Sequence, residues 1–253
     1  MTQTNKPNGG FRPFRYFLSG LAVVAIALTV SSLTAAQSPQ ELDSTKADPQ
    51  HHDVLFENDQ VRVVHYLVPA GEKTAKHSHP DGVNIFLADA HYKNVSEDGK
   101  ITELQAKAGT AAWRPSLTHV TENIGDKPLE GILVEPKQPH SARPAGSADV
   151  TTLPIGGKLA KVVFENEKVR VLHYRFEPGQ RDEMHGHPDS VQIVLTDTQS
   201  EVTTPDGKIT MVEAKAGQVV WRPALQHSVR NIGDKPIEGV LVEMKGAPVV
   251  ATK

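Results

Sequence analysis

The chain has 253 residues, of which 38% are hydrophobic and 23% charged, the balance of an ordinary globular protein and not of a disordered one. It has no cysteine, so neither disulfides nor thiolate metal ligands contribute. Formal charge is −3, and a mildly acidic chain without a basic run argues against nucleic acid as a partner.

Lys6, Arg12 and Arg15 form a positive head, and residues 17–33 are apolar except for Ser, Gly and Thr. Thr34-Ala35-Ala36 then offers the small residues of a cleavage site ahead of the polar Gln37-Ser38-Pro39. This pattern predicts a signal peptide over residues 1–36; the rival is an uncleaved anchor. The core from Leu18 to Val30 is short for a span of about 20 residues, and no positive stop follows it. Both readings place the body outside the cytoplasm, and the expectation is a periplasmic or secreted protein with no stable membrane insertion after cleavage. The mature body would carry 24 basic and 30 acidic residues, a charge of −6. Residues 37–52, polar and carrying Pro39 and Pro49, read as a tail.

From Val54 to Lys137 the sequence aligns without a gap to Val162 to Lys245, at a constant offset of 108 and with roughly half the positions identical. Within each copy the period is two. Val61-Arg62-Val63-Val64-His65-Tyr66 and its twin Val169-Arg170-Val171-Leu172-His173-Tyr174 begin strands. Val83 to Leu87 and Val191 to Leu195 read as buried strands. Asp98-Gly99-Lys100 and Asp206-Gly207-Lys208 read as hairpin turns, where glycine accepts the positive φ. No long helical period occurs. The expected fold class is all-β, with one barrel or sandwich over 53–137, a second over 162–246, and a linker at 138–161 rich in Pro, Gly and Ala.

Each copy carries a histidine cluster: His77-Ser78-His79-Pro80-Asp81 and His185-Gly186-His187-Pro188-Asp189. A third histidine follows about forty residues later, His119 after Trp113-Arg114-Pro115 and His227 after Trp221-Arg222-Pro223. On a strand, a His-x-His pair sends both imidazoles to one face. Two such imidazoles, with a third brought over by the fold, supply most of a metal site. The candidate ligands are therefore His77, His79, His119, His185, His187 and His227. His65 and His173 read as interface or surface residues; His51, His52, His91 and His140 are assigned no role. Asp81 and Asp189 either orient a ligand imidazole or cap the turn after proline, and the turn is preferred. Arg114 and Arg222 are read as solvated in preference to binding a substrate carboxylate.

These motifs resemble the cupin superfamily. Gly71 and Gly179 stand six residues before His77 and His185, as its first motif asks. Gly109, Pro115, His119 and Asn123, with Gly217, Pro223, His227 and Asn231, fit its second motif, although the Pro-to-His gap is one residue short. The resemblance implies two tandem jelly-roll barrels, a bicupin, each with one divalent metal at its mouth.

The chain departs from the family pattern at the glutamate ligand, whose place falls on Asn84 and Gln192. These are read as weak ligands or as hydrogen-bond donors to substrate or a metal-bound water. Losing a carboxylate favours Fe, Zn, Cu or Ni over Mn, because hard cations prefer carboxylate oxygen. Three functional readings follow. One is a metal-dependent oxidoreductase, dioxygenase-like, acting on a small molecule. Another is a non-catalytic binder of metal or small ligand in the envelope. The third, less favoured, is an oxalate-decarboxylase-like enzyme. The sequence leaves homo-oligomerisation open.

Overall fold

The computed structural model describes residues 41–137 and 159–245. The expected signal peptide and most of the expected linker lie outside the described residues. A four-residue helix α1 (Ser44–Ala47) precedes nine strands: β1 (His52–Glu57), β2 (Val61–Val68), β3 (His77–His79), β4 (Gly82–Phe86), β5 (Ala90–Ser96), β6 (Ile101–Ala106), β7 (Ala111–Arg114), β8 (Leu117–Asn123) and β9 (Leu129–Pro136). The second copy repeats them as β10 (Ala160–Glu165), β11 (Val169–Phe176), β12 (His185–His187), β13 (Ser190–Val194), β14 (Thr198–Thr203), β15 (Ile209–Ala214), β16 (Val219–Arg222), β17 (Leu225–Asn231) and β18 (Ile237–Met244). No described helix is long and apolar enough to cross a membrane.

Each copy makes two antiparallel sheets. The first copy has the order β1-β2-β9-β4-β7 facing β3-β8-β5-β6, and the second has β10-β11-β18-β13-β16 facing β12-β17-β14-β15. All strands are antiparallel and the two orders correspond strand for strand, so the architecture is two tandem jelly-roll barrels. Gly99 and Gly207 sit at φ +80° and +81° in the expected hairpin turns. Gly131 is required for a different reason: a Cβ there would lie 2.3 Å from the Tyr66 hydroxyl, so only glycine lets that ring lie across β9.

Alternation along the five-stranded sheets explains how the two barrels meet. Val64, Tyr66, Val68, Phe86 and Leu133 point into barrel 1. The opposite parity, Val61, Val63, Val83, Ile85, Ile132 and Val134, is equally buried, because it packs on the same face of barrel 2. One apolar cluster thus joins six residues of barrel 1 to seven of barrel 2. Burying each Val or Ile is worth about 1.5–3 kcal/mol. Around it the contacts come in twofold-related pairs. Phe56 stacks on Trp221 and Phe164 on Trp113, with ring centroids 5.8 and 5.7 Å apart. Lys168 pairs with Asp81, while Gln60 donates to Asp189 at 2.7 Å.

Two boundaries differ from the sequence reading. Strand β10 begins at Ala160, inside the segment expected to be linker. The stretch expected to be a polar tail is packed from residue 42: Leu42, Ser44, Asp48, His51 and His52 are buried. The Leu42 carbonyl accepts from Ser78 N–H at 2.6 Å, and Asp43 pairs with Arg62 at 2.7 Å. These bonds fasten the segment beside β3.

Candidate metal centres

Strand register creates the histidine clusters. In barrel 1, β3 pairs with β8 so that His119 lies directly across from His77. In barrel 2, β12 pairs with β17 and His227 lies across from His185. His79 and His187 join them from the same strand face, two residues on. All six imidazoles are buried.

In barrel 2, the ring centroids of His185, His187 and His227 are 4.8 to 5.4 Å apart, and one ligand nitrogen from each lies within 4.8 Å of the others. His185 Nδ1 lies 2.7 Å from the Glu183 carbonyl, and His187 Nδ1 lies 2.6 Å from Glu243 Oε1. These oxygens accept, so each Nδ1 carries the proton and each Nε2 presents a lone pair. The two Nε2 atoms stand 3.0 Å apart. Two lone pairs at that distance repel unless a cation or a shared proton lies between them, so the donor set fits a metal. Burial holds His185 below its ordinary range and brings His227 down to about 3, keeping both imidazoles in the neutral, ligating form.

Barrel 1 is built differently. His77 Nδ1 donates to the Ala75 carbonyl at 2.8 Å and His79 Nδ1 to Glu135 at 3.2 Å. The group whose ligand atoms lie within 4.8 Å of one another is His52, His77 and His79, not the expected set with His119. His119 adjoins it, with its ring 4.6 Å from His77 and 5.6 Å from His79, and its Nε2 is buried without a partner. Burial lowers His77 and His79, brings His119 to about 3, and brings His52 to about 4 with help from the nearby His77 ring.

The expected amides line the same cavities but are engaged elsewhere. Tyr66 donates to Asn84 Oδ1 at 3.0 Å, and Gln192 donates to the Tyr174 hydroxyl at 2.6 Å while accepting from Arg222. Arg114 and Arg222 are half-buried. They lie on the inward parity of β7 and β16, line the cavities, and burial lowers both. Their neighbours Trp113 and Trp221 take the other parity, each toward the opposite barrel. Asp81 and Asp189 lie at the inter-barrel contact and orient no imidazole; Asp189 Oδ1 also accepts from Ala224 N–H at 2.8 Å, the turn role. His65 and His173 are half-buried surface residues paired with Glu130 and Glu238.

Sequence reasoning missed three features. Glu135 and Glu243 are buried behind His79 and His187 and are held by Arg62 and Arg170. They orient ligand imidazoles, the work considered for Asp81 and Asp189. Their signal was a charged residue at the end of an apolar run, Leu133-Val134-Glu135 and Leu241-Val242-Glu243. His52 was hidden because its twin, at the same register against the tyrosine, is Ala160. Asp182, whose twin is Thr74, lines only the barrel-2 cavity; burial raises it to about 6, and its Oδ2 has no hydrogen-bond partner.

No protein-family model matches the sequence, and no curated protein matches it. Among solved structures, a cupin domain from Bordetella pertussis Tohama I is 30% identical, over 35% of this chain and 93% of that one, with a TM-score of 0.33. An oxalate decarboxylase from Bacillus subtilis is 18% identical over 77% of this chain and 72% of its own, with a TM-score of 0.53. The formate complex of Lactobacillus farciminis oxalate decarboxylase is 15% identical over 75% and 78%, with a TM-score of 0.52. At such identities the two decarboxylases establish the fold and no more. Two jelly-roll barrels in one chain, each enclosing a buried histidine group, give this protein the bicupin fold.

Proposed function

We propose that this bicupin is a metal-dependent oxidoreductase, dioxygenase-like, that acts on a small molecule in barrel 2. One observation carries the reading: His185, His187 and His227 stand at the wall of a cavity of about 260 Å³, whereas the barrel-1 cavity is about 60 Å³. Only the larger one has room for a substrate beside a metal. His185, His187 and His227 would hold a divalent metal, which when bound would supply activation of O₂ or of a substrate oxygen. The carboxylates nearest the ligands, Glu243 and Asp182, face the Nδ1 sides of His187 and His185. The donor set is therefore neutral, which favours Fe, Zn, Cu or Ni. One fold neighbour is described by its Mn(II) centres, so manganese is the comparison metal.

The protein's own share is to bind, orient and exclude water. Arg222, braced by Gln192, offers a half-buried guanidinium that can hold an oxygen anion of the substrate. Leu172, Phe176, Val194, Val220 and Leu241 give apolar walls that keep water from the site. This combination suits a compact, largely apolar molecule with one acidic or carbonyl end. The N-terminal head, apolar run and small-residue site further support export to the periplasm or medium. The test is O₂ uptake by protein reconstituted separately with Fe(II), Cu(II), Ni(II), Zn(II) and Mn(II), against a panel of small aromatic and aliphatic carboxylates. The reading expects uptake with one redox-active metal and its loss in His187→Ala. Tight retention of a panel compound with no turnover by any metal form would favour the binding module instead.

A further inference from the structure

We propose that His52 is a metal ligand, and that barrel 1 holds its cation in a closed site of four imidazoles, unlike the open three-imidazole site of barrel 2. The proposal rests on the reading that both barrels bind metal and adds what distinguishes them. His52 begins β1, outside the repeated motif, yet its ring is 4.6 Å from His77 and 5.5 Å from His79. With these two it forms the tight ligand-atom group of barrel 1. Its Nδ1 lies 3.2 Å from the Asp48 carbonyl, which can only accept, so the proton sits on Nδ1 and Nε2 is free to ligate. His119 supplies the second independent observation: a buried Nε2 with no partner, on a ring that touches the same group. A cation bound by all four resolves both at once.

The surroundings are built for a closed, positively charged centre. The small cavity, narrowed by Phe86 and Tyr92 where barrel 2 has Val194 and Ser200, leaves little space for an added ligand. Four neutral imidazoles leave the charge of a dication uncompensated within the ligand shell. Two buried carboxylates stand directly behind it, Glu135 at His79 and Asp48, whose Oδ2 is 3.5 Å from His52 Nδ1 and 2.9 Å from His51 Nδ1. The packed segment 42–51 holds His52 in place, through Leu42 and Asp43 on β3 and His51 against Glu72. A closed imidazole site selects a borderline cation, Zn(II) or Cu(II), over Mn(II) or Ca(II). The two barrels would then divide labour, one holding metal without substrate and the other reacting.

The test uses the full chain with barrel 2 silenced by His187→Ala, loaded with Co(II) and then azide. The proposal expects one equivalent of cobalt with four-coordinate d–d bands that azide does not change. Adding His52→Ala should weaken those bands and make them respond to azide. Because His52→Ala can also disturb folding, pulsed EPR of Cu(II) in the His187→Ala protein counts imidazoles without touching His52. Four bound imidazoles support the proposal and three overturn it. Azide-sensitive bands in His187→Ala protein would also overturn it, with the metal reading intact. Absence of cobalt from that protein would instead overturn the metal reading for barrel 1, and the proposal with it.

Discussion

The two barrels share a fold, a register and about half their residues, yet one encloses about four times the space of the other, 260 against 60 Å³. The difference comes from a few inward positions. Where barrel 1 places His52, Phe86 and Tyr92, barrel 2 places Ala160, Val194 and Ser200; where barrel 1 has Thr74, barrel 2 has the buried Asp182. His52, Phe86, Tyr92 and their twins are paired strand residues, but the pairing runs through the backbone, so their side chains are free to change while the histidine-bearing strands β3, β8, β12 and β17 keep their register. The outward parity of the five-stranded sheets did not diverge in the same way: it stays apolar in both copies because each is the other's packing surface. Duplication here preserved the frame and the contact between barrels and released the two interiors.

The largest effect that can break this comparison is loss of metal. His79→Ala and His187→Ala should each remove about one of two equivalents, measured by elemental analysis, and the double variant should remove both. If only one single variant lost metal, the other barrel would be a vestige and the division of labour would fail.

The next effect concerns the shared core. Trp113→Ala removes a ring stacked on Phe164 and lying 5.9 Å from the Lys168 ammonium, and should cost about 3 kcal/mol. Because the cluster joins both barrels, thermal unfolding should remain one transition, shifted as a whole. Two transitions, with only one displaced, would show barrels that fold apart.

A smaller effect sharpens the comparison at the ligands. Glu243 lies 2.6 Å from His187, whereas Glu135 lies 3.2 Å from His79. Glu243→Gln should weaken metal binding in barrel 2 by roughly 10–100-fold, and Glu135→Gln should act less on barrel 1. Competition with a chromophoric chelator reads each constant, in His79→Ala and His187→Ala backgrounds respectively. Equal effects would mean that these carboxylates balance charge without orienting rings.

Much of this was legible in the sequence. Alternation gave the strands, the offset of 108 gave the two barrels, and His-x-His with a distant third histidine located both clusters. What duplication could not show was anything that one copy lacks. Agreement between copies served as the filter, and His52 and Asp182 failed it for that reason. Glu135 and Glu243 passed it but ended apolar runs whose burial depends on the opposite barrel. Arg114 and Arg222 were read as solvated because the parity of a four-residue strand is ambiguous until its partner is known. Cavity size is the sum of side chains from every strand, which no local pattern contains.

The smallest expected effect tests whether the inter-barrel aspartates matter to the metal at all. Asp81 and Lys168 are about a third and a quarter exposed, at 33% and 23%, so their ion pair is screened and worth about 0–1 kcal/mol. Asp189, its twin, meets neutral Gln60 and also caps the Ala224 amide, a contact that does not depend on ionic strength. Asp81→Asn should therefore cost under about 1 kcal/mol, and the loss should vanish in high salt. Asp189→Asn should keep its cost in high salt, because an amide in that place can turn a donor toward the Ala224 N–H. Both variants should retain two metal equivalents, since neither carboxylate touches a ligand imidazole. Denaturant titrations at low and high salt measure the first two expectations and elemental analysis the third. A metal deficit in Asp81→Asn would return that residue to the role of orienting His79, which the present geometry gives to Glu135.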